Sequence, residues 1–212
     1  MEEKEINEKE SLEIITEMIN RTKGRLRIGD GNLLLLWGYT ALAVTALTAT
    51  VLLITRHQAS NWLWFLIWII GGTAGAHVDR RRNGKQQVST YTDSVTRGLW
   101  SLVGFCAILL TAICLVLMLL AGKDCWTAML VFGLLIVGIA VTIQGVVIKE
   151  KCLMAGGAVG VVAGSVVLCC AISGIALAAC WTFPLIAATF LLMLIIPGHI
   201  LNHKARRQCT KN

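Results

Sequence analysis

"LWSLVGFCAILLTAICLVLMLLAGKDCWTAMLVFGLLIVGIAVTIQGVVI", residues 99–148, holds two long apolar runs parted only by a short polar patch at Lys123 and Asp124. A helix of about 20 residues, rising 1.5 Å per residue, matches the roughly 30 Å hydrocarbon core of a bilayer. The runs 99–121 and 125–148 are long enough. A transmembrane β-strand would alternate apolar and polar residues over about ten positions. These runs are apolar on every face, so they read as membrane-spanning helices.

Working outward, four more apolar stretches lie at 33–54, 62–78, 152–172 and 180–200, giving six. The stretch 62–78, "WLWFLIWIIGGTAGAHV", is the shortest, and "SGIALAAC" at 173–180 blurs the border between the last two. Hydrophobic residues make up 56% of the 212-residue chain and charged residues 15%, with mean hydropathy +0.73. A soluble domain carries about 25% charged residues. The first run is longer than a signal-peptide core and lacks a small-residue cleavage motif, so it is expected to be an uncleaved span. The fold expected is an all-α polytopic bundle of about six transmembrane helices (32–201). A cytoplasmic amphipathic helix and linker (1–31) precede it, and a basic tail (202–212) follows.

The net charge of +7 is first a statement about topology. With loops alternating between sides, 17 of the 19 Lys and Arg residues fall on one side: six before the first span, five from Arg80 to Arg97, Lys149 with Lys151, and four in the tail. Only Arg56 and Lys123 fall on the other. Positive charge near span ends is retained in the cytoplasm, so both termini are expected there, with the spans in the cell membrane. Arg80, Arg81 and Arg82, in "HVDRRRNGK" (77–85), then serve as anchors among lipid phosphates. Nucleic acid is not an expected partner, because a short basic loop offers too small a footprint. Trp62, Trp126 and Trp181 fall at expected outer ends and Trp37, Tyr39 and Trp100 near inner ends, as two interfacial belts require.

Close helix packing in lipid relies on small residues. Gly156, Gly160 and Gly164 recur every four positions in the fifth stretch, with a shorter version at Gly71 and Gly75. Packing within the bundle is the preferred reading. A homodimer seam or a gated path is the alternative.

No Asp, Glu, Lys or Arg lies in an expected membrane core, where ion-coupled transporters usually place ionisable groups. No nucleophile elbow, phosphate-binding glycine loop or acid–base carboxylate pair occurs, so no catalytic residue, enzymatic activity or cofactor is expected. His199 and His203 share a helix face, and His77 is expected at the same membrane surface. These three, with Cys209, are the candidates for a zinc site. The eight cysteines include no CxxC pair, and outer-side Cys125 and Cys180 leave a disulfide open. Pro197-Gly198 is expected to kink or end the last span.

The leading functional element is "NEKESLEIITEMINRTKGRL" (7–26). Asn7 and Glu10 have capping-box spacing, and Leu12, Ile15, Ile19 and Leu26 form a stripe at helical intervals. Such a stripe needs a partner: the protein's own cytoplasmic loop, the lipid surface, a second copy, or a cytoplasmic protein.

In layout the chain resembles small uncharacterised bacterial multi-pass membrane proteins. The likeness rests on "SLEIITEMINRTKGRLR" before an "LLWGY" first span and on "IIPGHIL" in the last. It implies a membrane bundle and brings no catalytic residues. The expected role is a non-enzymatic assembly or regulatory component acting through its cytoplasmic helix. The alternative is a small-solute transporter or channel component.

Overall fold

A computed structural model describes residues 31–83 and 91–210. Among them the regular structure is entirely helical. The elements are α1 (Asn32–Thr55), a 3₁₀ segment (Gln58–Trp64), α2 (Phe65–Asn83), α3 (Tyr91–Ala121), α4 (Trp126–Ile148), α5 (Lys151–Ile172), α6 (Ala179–Phe190), a π-turn (Leu191–Ile195) and α7 (Ile196–Thr210). Five helical stretches are long and apolar enough to cross a membrane: Asn32–Thr55, Ser94–Ala121, Trp126–Ile148, Lys151–Ile172 and Ala179–Arg207. The amphipathic stripe at Leu12, Ile15, Ile19 and Leu26 lies outside the described residues.

The second apolar stretch, 62–78, folds differently from a single long span. Arg56 closes α1 in the left-handed region (φ 50°), donating its N–H to Leu52 O. The polar residues that follow then form a local turn. Ala59 N–H donates to His57 Nδ1 at 3.2 Å, and Ser60 Oγ meets Thr55 Oγ1 at 3.1 Å. The chain continues as the 3₁₀ segment, and α2 is apolar only from Phe65 to Val78 before Asp79 and the arginines. At 1.5 Å per residue that part is about 21 Å long, short of a full crossing by itself.

The bundle centre lies where α4 and α5 meet α1 and the last helix. Leu34, Val141, Leu153, Met193, Leu194, Leu201 and Ala205 form its main core, with Val131, Leu134 and Val167 nearer the other end of α4 and α5. Helices α2 and α3 flank this centre, α2 packing on α1 and α3 on α4.

Two devices shape the centre. Lys149 and Glu150 alone separate α4 from α5, so the two helices must run antiparallel in contact. Lys149 makes the reversal in the left-handed region (φ 61°), and Glu150 N–H donates back to Gly145 O at 2.9 Å. The second device is Pro197, where the last helix is expected to kink or end and does not end. A proline ring crowds the carbonyl four residues back and supplies no N–H. Here the helix widens into the π-turn just before it, Ile196 N–H reaching Leu191 O, and then runs on to Thr210. Residues 202–210 of the basic tail therefore extend a helix.

Candidate functional site

The polar side chains with the most specific geometry gather at one end of the bundle, where α1 begins and α7 passes it. Asn202 binds both residues at the start of α1. Its Oδ1 accepts from Gly31 N–H at 3.1 Å, and its Nδ2 donates to Asn32 Oδ1 at 2.7 Å. Tyr39 Oη lies 2.8 Å from His199 Nε2, with the two rings edge to face. Glu150, in the α4–α5 turn, pairs with Lys204 of α7. The last helix is thus pinned to the first helix on one face and to the α4–α5 turn on another. Asn32, Leu35, His199, Asn202, His203 and Arg206 line an open cleft of about 370 Å³ between α1 and α7. In sequence, His199, Asn202, His203 and Arg206 fall at i, i+3, i+4 and i+7. That spacing could have revealed a shared polar face, although not that Asn202 ties down α1.

The expected glycine seam is dispersed over several neighbours. A Cβ on Gly156 would come 2.9 Å from Leu192 O and from Pro197 Cγ. On Gly160 it would run into Met193 Sδ, and on Gly164 it would stand 2.9 Å from Leu135 Cγ. The closest helix approach runs through residues outside the every-fourth pattern. A Cβ on Gly138 would stand 2.7 Å from Val161 N, and one on Gly157 would overlap Thr142 and stand 2.6 Å from Gly138 O. Gly71 receives the ring of Trp37, while Gly75 leaves 3.7 Å to Leu33 and to the same ring.

Other sequence candidates are not assembled into sites. His77 is exposed on α2, whereas His199 is engaged by Tyr39 and His203 lines the cleft. Among the described residues no three His, Cys, Asp or Glu side chains are placed to hold a metal ion. Cys125 and Cys180 carry free thiols, and Cys125 is buried beside Cys114 of α3. Arg80 is exposed at the end of α2, the helix that also contains Arg81 and Arg82. Gln144, the carboxamide within a span, is buried and accepts from Trp100 Nε1 at 3.0 Å, tying α3 to α4. Most hydroxyls are satisfied by the carbonyl one turn back, as in Thr45, Thr142, Thr182 and Thr189. Thr48 is the exception, its Oγ1 buried without a partner among the described residues.

The aromatic residues of the 3₁₀ segment join it to the ends of other helices. Trp62 meets Trp126 edge-on at 5.6 Å, and Trp64 stacks on Phe183 at 6.3 Å. No protein-family model matches the chain, and comparison with curated proteins and with solved structures likewise finds no match.

Proposed function

We propose that the chain is a six-span protein of the bacterial cytoplasmic membrane with both termini in the cytoplasm. Its role in this reading is non-enzymatic: assembly or regulation through the N-terminal stripe of Leu12, Ile15, Ile19 and Leu26. The second crossing would combine α2 with the end of the 3₁₀ segment. Three 3₁₀ residues at about 2 Å each add roughly 6 Å, and the arginines can reach headgroups from below the surface. The orientation rests on the distribution of Lys and Arg.

One observation carries the functional reading. The bundle centre is filled by backbone-close contacts at Gly138, Gly157 and Gly160 and by buried Leu134, Leu153 and Met193, whereas the defined polar contacts concentrate at the end where α1 starts. That arrangement suits a scaffold that presents its cytoplasmic end better than a conduit.

The transporter alternative draws on the π-turn, since such turns often occur at functional sites. Pro197 offers no N–H to the Leu192 and Met193 carbonyls. Those oxygens, however, pack against Gly156 rather than opening onto a polar path.

The test compares proteins that co-purify with the parent, with Ile15→Glu/Ile19→Glu, and with Glu13→Gln/Glu17→Gln, at equal membrane abundance. Burying an Ile contributes roughly 1.5–3 kcal/mol and an exposed ion pair under about 1 kcal/mol, so only the stripe variant should lose its partner. An unchanged partner set for that variant would sink the reading. Impermeant thiol labelling of single-cysteine variants in intact cells tests the orientation, which requires Cys180 to label and Cys209 to stay protected.

A further inference from the structure

The cleft between α1 and α7 is lined by donors suited to a phosphate and lies beside exposed apolar side chains. Four of its six lining residues lie on one face of α7, and Asn32 and Leu35 lie in the first turn of α1. None of the six is acidic. The carboxylate of Glu150, from the α4–α5 turn, is engaged by Lys204 rather than by a cleft residue. Arg206 supplies a planar fork of donors suited to phosphate, and it also interacts within the chain. His203 and the amides of Asn32 and Asn202 add further donors.

What lies beneath the polar rim distinguishes a lipid from a soluble anion. Leu35 forms part of the wall, and Tyr39, one turn deeper on α1, is 50% exposed. On the facing helix Ile196 and Ile200 are 40% and 37% exposed. The surface therefore runs from the polar donors of the cleft, Arg206 among them, into apolar side chains along α1 and α7. A ligand with a phosphate at one end and acyl chains at the other matches both parts. Inorganic phosphate matches only the first.

We propose that this cleft binds the phosphate group of an anionic phospholipid, headgroup against Arg206 and His203 and acyl chains along Leu35 and Tyr39. The proposal rests on the membrane reading alone and is independent of the N-terminal stripe. Basic pockets between spans at the cytoplasmic surface are suited to such headgroups.

Full-length protein extracted from membranes is titrated with phosphatidylglycerol, phosphatidylcholine or inorganic phosphate, and bound lipid is read by native mass spectrometry. Saturable binding of phosphatidylglycerol is expected, weakened about tenfold in Arg206→Gln and severalfold in His203→Gln. Arg207→Gln removes the same charge from the neighbouring position outside the cleft and should leave binding unchanged. Equal losses in Arg206→Gln and Arg207→Gln would mean diffuse surface attraction and overturn the site. So would undiminished binding in His203→Gln, which carries the test if Arg206→Gln fails to fold. Displacement of the lipid by inorganic phosphate at matching concentrations would make this a free-anion site and overturn the lipid assignment. Recovery of the parent chain from the soluble fraction would instead sink the membrane reading itself.

Discussion

Helices α3 and α4 are neighbours of similar character in sequence, yet they occupy opposite roles in the bundle. The best membrane window of α3 has mean hydropathy 2.9 and only 11% of it is buried within the chain, against 2.5 and 39% for α4. The more hydrophobic helix is the more exposed one. In water this would be a contradiction. In lipid, apolar bulk gains nothing by turning inward, and the interior goes to residues that let backbones approach. Accordingly α3 shows Phe105, Ile108 and Leu119 on its surface, while α4 brings Gly138 and Gly145 against α5.

Filling the α4–α5 contact should destabilise the bundle most. Gly157→Leu would drive a side chain into the Thr142 and Gly138 backbone, and the added bulk should cost about 3 kcal/mol, at the upper end for overpacking. Gly104 of α3 has nothing within 4 Å of the position a Cβ would take, so Gly104→Leu should leave thermal unfolding in detergent unchanged. Equal behaviour of the two variants would show that the α4–α5 contact is not the stabilising one.

At the place where α3 and α4 are joined, the expected loss is smaller. Trp100→Phe removes the donor to buried Gln144, and hydrogen bonds between membrane helices average about 0.6 kcal/mol, up to about 1.7. Cysteine protection on α3 should fall while that on α5 is retained. Uniform loosening of both helices would mean that α3 is integral to the core.

The smallest effect has the opposite sign. Lys149 holds a left-handed conformation that costs a residue with a Cβ roughly 1–2 kcal/mol, and glycine returns part of that gain as chain entropy. Lys149→Gly should therefore stabilise the α4–α5 unit by about 0.5–1 kcal/mol, read as a higher unfolding midpoint. A lower midpoint would mean that the lysine side chain outweighs the strain.

Apolar length made five of the long helices legible in the sequence, because hydropathy over about 20 residues is a local property. The stretch at 62–78 was less legible. Its apolar length includes Trp62–Trp64, which the turn chemistry of His57 and Ser60 draws into the 3₁₀ segment. Spacing pointed to Gly156, Gly160 and Gly164 but passed over Gly138 and Gly157, whose role depends on the register between two helices. Periodicity within one helix does not contain that register. The same limit hid the bonds from Asn202 to Gly31 and Asn32, made across a separation of 170 residues or more. At Pro197 the sequence marked the disturbance but not its form, since widening into a π-turn competes with breaking the helix.

Those bonds also bear on the order in which the protein can assemble. The α4–α5 hairpin needs only its own two-residue turn and can close as soon as both helices are made. Helix α1 meets the 3₁₀ segment and α2 soon after they are made, but its contacts with α6, the π-turn and α7 form only when those arrive. At about 5–20 residues per second, the ribosome takes roughly ten to thirty seconds to travel from the end of α1 to the end of α7. Throughout that interval the side of the first helix that meets α6 and α7 stays open, the period in which chaperones, insertases or a second nascent copy can reach it.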